Sequence, residues 1–128
     1  MSNKTQAMNI LVVDDEKDIR DGSERILTRL GFQVFKADRG EKALAILEKD
    51  TVSMVLLDLK MPGMDGMEVL ERIMELDDAI LVIVITGYAT VEVAREALAK
   101  GAFDFIAKPF KPDDLRQIIT RAAAALKL

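Results

Sequence analysis

Charged or hydroxyl side chains stand directly after four short apolar runs of this chain. They are Asp14 and Asp15, Asp58, Thr86 and Lys108. Carboxylates held close together repel one another and are costly to desolvate unless a cation compensates them. With oxygen as the only ligand atom, that cation would be Mg²⁺ or Mn²⁺. A metal, an ammonium, a hydroxyl and a carboxylate nucleophile can together hold a phosphoryl group, so the residues suggest an aspartate phosphorylated in a Mg²⁺-dependent step.

Simpler interpretations exist for some of these acids. Asp15 could cap the N-terminus of the helix that follows it. Glu16 is expected to favour that same helix end through the helix dipole rather than to bind metal. Asp58 is harder to explain in this way, because the loop after it, residues 60–66, is rich in turn residues and holds the backbone away from the sheet.

The composition excludes several classes of protein. The chain has 128 residues with no histidine and no cysteine. Histidine acid–base catalysis, Ser-His-Asp triads, nearly all zinc enzyme sites and disulfides are therefore excluded. The formal net charge of −4 argues against direct nucleic-acid binding. No apolar run reaches the roughly 18 residues of a membrane span, and residues 1–8 lack a secretory signal's apolar core, so we expect a disordered lead-in there and a cytoplasmic protein.

Five short apolar runs alternate with five amphipathic stretches. The runs are Ile10–Val13, Phe32–Ala37, Met54–Leu57, Ile80–Ile85 and Phe103–Ala107. Continuous apolar runs of this length are typical of strands buried on both faces. The alternation predicts a single (βα)₅ domain of the α/β class, a doubly wound parallel sheet with helices on both faces. Ligands of such sheets bind outside the carboxyl ends of the strands, which is where the acids stand.

Capping residues mark the ends of the predicted helices. Gly31 follows the first helix as a C-terminal stop. Asp65 and Glu68 have the spacing of a capping box at the start of the third helix. Thr90 fits the N-cap of the fourth helix, and Pro112 fits the first turn of the fifth.

Four stretches of the chain, taken in order, resemble one family. They are Leu11–Glu16, Leu57–Gly66, Thr86–Gly87 and Gly101–Phe110. Together they resemble the receiver domain of two-component response regulators, and the likeness runs from about Asn9 to about Leu126. The resemblance implies a receiver domain over residues 9–128 with the flavodoxin-like strand order 2-1-3-4-5.

The resemblance also implies roles for the strand-end residues. Asp58 would be the phospho-acceptor, Asp15 would ligate Mg²⁺ directly, and Asp14 would act mostly through water. The backbone carbonyl of Lys60 would complete the protein ligands. Lys108 would pair with the phosphoryl oxygens, and Pro109 after it resembles the family's cis-proline.

Further positions are assigned by the same resemblance to switching and to phosphoryl lifetime. Thr86 would move inward to hydrogen-bond the phosphoryl group. Phe105 occupies the position of the switch aromatic, where the family often has tyrosine. Lys60 and Tyr88 stand where the family tunes hydrolysis of the acyl phosphate, although Tyr88 could equally be an ordinary exposed loop residue.

The resemblance implies partners rather than a substrate. A sensor histidine kinase would donate the phosphoryl group, because the chain has no histidine of its own. The fourth helix, fifth strand and fifth helix would form the output surface for an attached or separate effector, such as a transcriptional regulator, and could form a homodimer. The segment Gly101–Phe105 resembles receivers attached to enhancer-binding ATPase regulators. The domain would assist only its own phosphorylation and dephosphorylation, without direct contact to nucleic acid or membrane.

Two other functions use similar residues. A haloacid-dehalogenase-like Mg²⁺-dependent phosphatase also combines Asp, Thr and Lys, but it usually carries a second acid two residues after its nucleophile, where this chain has Lys60. A flavodoxin-like FMN binder needs a hydroxyl-rich phosphate loop after the first strand. The three acids at residues 14–16 would repel that phosphate.

Overall fold

The computed structural model describes residues 8–126, which form five strands and five helices in strict alternation. The strands are β1 (Asn9–Val13), β2 (Gln33–Ala37), β3 (Met54–Asp58), β4 (Leu81–Thr86) and β5 (Asp104–Ala107). The helices are α1 (Lys17–Arg29), α2 (Gly40–Lys49), α3 (Gly66–Leu76), α4 (Val91–Ala99) and α5 (Pro112–Leu126). Each predicted strand is present, with ends that differ by a residue at most.

The five strands form one parallel sheet in the order β2-β1-β3-β4-β5. The predicted α/β fold and its strand order are confirmed. Val13 is in register with Leu57, and Asp58 is in register with Ile85. This register brings the carboxyl ends of β1, β3 and β4 to one edge of the sheet, which is the edge where the acids stand.

Helices cover both faces of the sheet. On one face, α1 and α5 pack Leu27, Leu115 and Ile119 against the sheet. On the other face, α2, α3 and α4 contribute a second cluster that includes Leu70 and Ala97. Both clusters consist of residues with almost no exposed surface. The three central strands β1, β3 and β4 are almost fully buried, which explains why their sequences read as continuous apolar runs. The edge strands β2 and β5 are partly exposed, so the prediction of burial on both faces is wrong for these two.

The helix ends agree with most of the capping predictions. Thr90 caps α4, where its hydroxyl oxygen accepts a hydrogen bond from the Val93 N–H at 3.1 Å. Pro112 is the first residue of α5. Asp65 is the N-cap of α3, but its carboxylate accepts from the Met67 N–H rather than from the N–H of Glu68 that the capping box predicted.

A glycine lets the loop after β3 lie close to the start of α3. A Cβ atom on Gly66 would lie 2.4 Å from the Cα of Leu59 and 2.6 Å from its carbonyl oxygen. Contacts that short are not possible, so only glycine permits this approach of two backbones. The loop that follows Asp58 is thereby fixed against the first turn of α3.

The predicted disordered lead-in over residues 1–8 lies, apart from Met8, outside the described residues. The Met8 carbonyl accepts a hydrogen bond from the Gln33 N–H at 3.0 Å, and its side chain packs against the cluster beneath α1 and α5. Within residues 8–126, every helix is too short or too polar to cross a bilayer.

Candidate functional site

Three carboxylates meet at the carboxyl edge of the sheet. Asp14 follows β1 and is fully buried, Asp58 ends β3 with 1% of its surface exposed, and Asp15 is exposed at the rim. Each contributes an oxygen that lies within 4.8 Å of the others. The structure therefore brings together the three acids that the sequence proposed as metal ligands.

In the part of the chain that the structure describes, one ammonium group faces these acids. The Nζ atom of Lys108 lies 2.9 Å from Oδ2 of Asp14 and 3.3 Å from Oδ2 of Asp58. It also lies 2.8 Å from Oε1 of Glu16. The contact to Asp14 lacks the angle of a hydrogen bond, so the buried Oδ2 of Asp14 has no hydrogen-bond partner. Lys108 therefore lies within reach of Asp58, the proposed acceptor.

Backbone N–H groups fix the other oxygens of the two buried acids. The Glu16 N–H donates to Oδ1 of Asp14 at 2.9 Å, and the Lys60 N–H donates to Oδ1 of Asp58 at 3.1 Å. In both residues the Oδ2 atom is left to face Lys108 and the pocket. The Lys108–Pro109 peptide bond that leads out of the pocket is cis, as the resemblance implied.

Burial and charge shift the pKa values of the pocket. Burial raises the pKa of Asp58 to about 6, with a further rise from the charge of Asp14, although the Lys60 N–H and Lys108 oppose it. Burial raises the pKa of Asp14 as well. Burial would lower the pKa of Lys108, but contacts with Glu16, Asp14 and Asp58 outweigh it, so that pKa lies above its usual value. One ammonium is left to balance several crowded carboxylates.

This donor set suits a hard divalent cation. Converging carboxylate oxygens, with one buried oxygen lacking any hydrogen-bond partner, form the kind of acidic pocket in which proteins hold Mg²⁺. A cation here would relieve both the repulsion between Asp14 and Asp58 and the missing partner of Asp14. The alternative role of Asp15 as a helix cap does not hold, because the N-cap of α1 is Glu16.

The predicted switch and lifetime residues lie around the pocket. Thr86 ends β4, is fully buried, and accepts a hydrogen bond at its hydroxyl oxygen from the Tyr88 N–H at 2.9 Å. Phe105 lies in β5 in register with Val84 and packs, half-buried, against the cluster beneath α4. Lys60 places its Nζ atom 4.5 Å from the centre of the Tyr88 ring. Tyr88 is therefore in contact with a residue of the β3–α3 loop.

Sequence reasoning missed two contacts of the site. The Glu16 side chain pairs with Lys108, whereas only an effect on the helix end was expected of it. Arg20 on α1 donates a hydrogen bond from Nη1 to the Asp14 backbone carbonyl at 2.8 Å and so helps to fix the backbone of this buried acid. The Glu16–Lys108 contact joins residues 92 positions apart, and no sequence pattern marks it; the Arg20 contact depends on one rotamer of a long side chain.

The doubly wound sheet and its strand-edge acids define an α/β domain with an acidic pocket of the kind that holds Mg²⁺. The family model for the response regulator receiver domain matches residues 10–120. The chain belongs to this family.

Relatives and solved structures agree with this assignment. Sporulation initiation phosphotransferase F of Bacillus subtilis is 39% identical over 112 residues, which cover 88% of this chain and 90% of that protein. The C4-dicarboxylate transport transcriptional regulatory protein DctD of Rhizobium meliloti is 37% identical over 122 residues. A CheY-like receiver domain protein from Methanospirillum hungatei superposes with a TM-score of 0.91 at 34% identity, over 95% of this chain and 98% of that one.

The share of each relative that the chain covers differs widely. The alignment with DctD covers 95% of this chain but only 26% of DctD. The same holds for the regulatory protein AtoC of Escherichia coli, of which it covers 26%. The alternative of a haloacid-dehalogenase-like phosphatase receives no support from these relatives.

Proposed function

We propose that Asp58 accepts a phosphoryl group and that the chain is the phosphorylated switch of a two-component system. The observation that carries the proposal is the juxtaposition of Asp58 with Asp14, Asp15 and Lys108 at one edge of the sheet. Oδ1 of Asp58 is held by the Lys60 N–H, so Oδ2 is the oxygen available for reaction. The chain is a signalling domain and not an enzyme with a separate substrate; its assistance in its own phosphorylation and dephosphorylation is part of the proposal.

The phosphoryl transfer balances with the groups present. An oxygen of the Asp58 carboxylate forms a bond to phosphorus while the P–N bond to a histidine of a sensor kinase breaks. The imidazole leaves with the bonding electrons and takes up a proton from solvent. A small phosphodonor such as acetyl phosphate can replace the kinase, because the donor group comes from outside the chain in either case.

The carboxylates of Asp14, Asp15 and Asp58, with the backbone carbonyl of Lys60, would hold Mg²⁺ or Mn²⁺, and Asp14 would act mostly through water. The bound cation supplies positive charge beside the transferred group. Lys108 supplies a further positive charge, and both offset the roughly two negative charges that the phosphoryl group on Asp58 would carry. A divalent cation and the Lys108 ammonium together carry three positive charges, which match the three carboxylates of Asp14, Asp15 and Asp58.

Phosphorylation would be read out through Thr86 and Phe105. The hydroxyl oxygen of Thr86 accepts a hydrogen bond from Tyr88, so its proton is free for donation to a phosphoryl oxygen. Movement of Thr86 would vacate space that Phe105 can fill, and α4 and β5 would shift with them. The shift is limited to the difference in phosphoryl affinity between the two states, so the active form exists before phosphorylation as a minor population.

The surface formed by α4, β5 and α5 is the proposed output face. We expect it to contact an attached or separate effector, such as a transcriptional regulator, or a second copy of the chain. The proportion of DctD and AtoC that the chain spans supports an effector attached to it in a longer protein. Neither nucleic acid nor membrane is expected to contact this domain directly, and we expect it in the cytoplasm with its kinase.

The test is phosphorylation by acetyl phosphate with Mg²⁺, followed by intact mass. We expect one phosphoryl group on the native chain, removed by hydroxylamine as an acyl phosphate, and none on Asp58→Asn. Asp104→Asn is the matched control, because Asp104 lies at the opposite end of its strand and pairs with Arg121. Phosphorylation of Asp58→Asn to the native extent would contradict the proposal.

A further inference from the structure

The ammonium of the pocket makes its shortest contact with an acid outside the proposed metal and acceptor set. Lys108 Nζ donates hydrogen bonds to Glu16 Oε1 at 2.8 Å and to Asp58 Oδ2 at 3.3 Å, and it lies 2.9 Å from Asp14 Oδ2 without the geometry of a hydrogen bond. The Glu16 side chain is 60% exposed, whereas the Asp58 side chain is 1% exposed. Lys108 therefore bridges the rim of the pocket and its floor.

Within residues 8–126, the Glu16 carboxylate forms no ion pair or hydrogen bond other than the one with Lys108. Glu16 is the N-cap of α1, yet its carboxylate makes no capping hydrogen bond. Its backbone is fixed on both sides, because its N–H donates to Asp14 Oδ1 at 2.9 Å and its carbonyl accepts from the Arg20 N–H at 3.1 Å. A carboxylate anchored at its base in this way presents a fixed partner for Lys108.

We propose that Glu16 is a positioning residue that holds the Lys108 ammonium at the rim of the pocket before phosphorylation. This inference rests on the proposed function of Asp58. An ammonium drawn toward Glu16 competes less with a divalent cation for the oxygens of Asp14 and Asp58. The same contact must weaken before Lys108 can turn to a phosphoryl group. Glu16 thus favours the cation and opposes the phosphorylated state.

These two effects have opposite signs, and a calorimetric titration measures them separately. Mg²⁺ is titrated into the native chain and into Glu16→Gln, and beryllofluoride is then titrated at saturating Mg²⁺ as a phosphoryl mimic. We expect Glu16→Gln to bind Mg²⁺ about threefold more weakly and beryllofluoride about threefold more tightly, which is the scale of an exposed ion pair. Equal affinities in the two chains would overturn the inference.

A second variant separates the contact from the charge. Glu16→Asp keeps the negative charge but shortens the side chain by one carbon–carbon bond, about 1.5 Å. That shortening takes the carboxylate out of ion-pair distance of Lys108. We expect Glu16→Asp to shift both affinities in the same directions as Glu16→Gln. Native affinities in Glu16→Asp would show that charge alone matters and would overturn the inference.

The matched control is Asp18→Asn, which removes an exposed acid from the first turn of α1 without any contact to Lys108. We expect both affinities to stay native in this variant; shifts equal to those of Glu16→Gln would count against the contact. A native chain that binds no beryllofluoride at all would overturn the proposed function itself. If the native chain binds beryllofluoride and Glu16→Gln binds both beryllofluoride and Mg²⁺ with native affinity, only the positioning role of Glu16 is overturned. Thermal unfolding confirms that each variant is folded.

Discussion

Asp14 and Asp58 form a pair of buried carboxylates with one shared cation, Lys108. Their Oδ2 atoms both face its Nζ, at 2.9 and 3.3 Å. Burial raises the pKa of each acid, because it disfavours the charged carboxylate. The one ammonium that the two acids share lowers both pKa values but does not cancel the effect of burial. A divalent cation that binds between them would stabilise the folded chain, because the unfolded chain holds no such pocket.

Mg²⁺ is therefore expected to raise the melting temperature of the chain, and Asp14→Asn is expected to lose most of this rise. A cation present at about a hundred times its Kd stabilises a fold by about 2.7 kcal/mol. That corresponds to a rise of several degrees for a domain of this size. Differential scanning calorimetry with and without Mg²⁺ measures the effect.

Asp78→Asn provides the control for this measurement. Asp78 is an exposed acid between α3 and β4, at the opposite edge of the sheet. Its removal changes the net charge equally but should leave the Mg²⁺ effect intact. If Asp14→Asn retained the full rise in melting temperature, the metal-binding role of Asp14 would be wrong.

Lys60 and Tyr88 are expected to lengthen the life of the phosphorylated state. The Lys60 ammonium lies over the exposed Tyr88 ring, and the pair joins the loops that follow Asp58 and Thr86. Such a pair at an exposed site contributes about 0.5–1 kcal/mol. In Lys60→Ala or Tyr88→Ala, water would reach the acyl phosphate more freely, so decay after removal of the phosphodonor should be faster.

Tyr88→Phe keeps the ring beneath the ammonium and should decay at close to the native rate. Decay is followed by intact mass after rapid removal of acetyl phosphate. All variants should still become phosphorylated, because Asp58 and Lys108 are untouched. Native decay rates in both alanine variants would show that the pair does not protect the phosphoryl group.

At the scale of elements, the loop between β3 and α3 depends on Gly66. A Cβ atom at this position would lie only 2.4 Å from the Cα of Leu59. That neighbour is backbone and has no freedom to rotate away. Leu59 and Lys60 follow Asp58 directly, so the packing of this helix end also fixes the pocket.

Gly66→Ala is expected to destabilise the fold by about 1–3 kcal/mol, because the added methyl group must displace backbone. The variant should also bind Mg²⁺ more weakly than the native chain. Chemical denaturation measures the first effect, and calorimetric titration measures the second.

Gly22→Ala is the matched control. Gly22 lies within α1, where an added Cβ would meet only Arg25 Nη2 at 4.0 Å. Alanine in a helix interior is favoured over glycine by about 0.5–1 kcal/mol, so this variant should be more stable than the native chain. A Gly66→Ala protein as stable as Gly22→Ala would contradict the close approach.

The elements could be predicted from the sequence because each obeys a local rule. Strands buried on both faces give continuous apolar runs, and Thr90 and Pro112 mark helix starts by their own chemistry. The acids after β1 and β3 could be placed together because parallel strands end at one edge. Their ligand roles remain predictions.

Contacts between loops could not be predicted in the same way. The Glu16–Lys108 pair joins the first and last loops at the carboxyl edge, and the Lys60–Tyr88 pair joins two others. Both depend on the rotamers of long side chains, which leave no periodic signal. The capping box at Asp65 also differed, because its carboxylate accepts from the Met67 N–H and not from the N–H of Glu68.

At the scale of the whole molecule, β4 and β5 lie between the pocket and the proposed output face. Thr86 is in register with Ala107, and Phe105 is in register with Val84 one strand away. Phe105 packs against the same cluster as Val93 of α4. We therefore expect a displacement of Thr86 to reach α4 through β5, whereas β2 lies at the far edge of the sheet.

Beryllofluoride with Mg²⁺ is therefore expected to change amide hydrogen exchange in α4 and β5 but not in β2. In Thr86→Ala, saturating beryllofluoride should still bind through Lys108 and the cation, without the change in α4, because the hydroxyl that couples the two is gone. Thr86→Ser keeps the hydroxyl and should restore the response. An α4 response in Thr86→Ala equal to that in Thr86→Ser would mean that the signal leaves the pocket by another route.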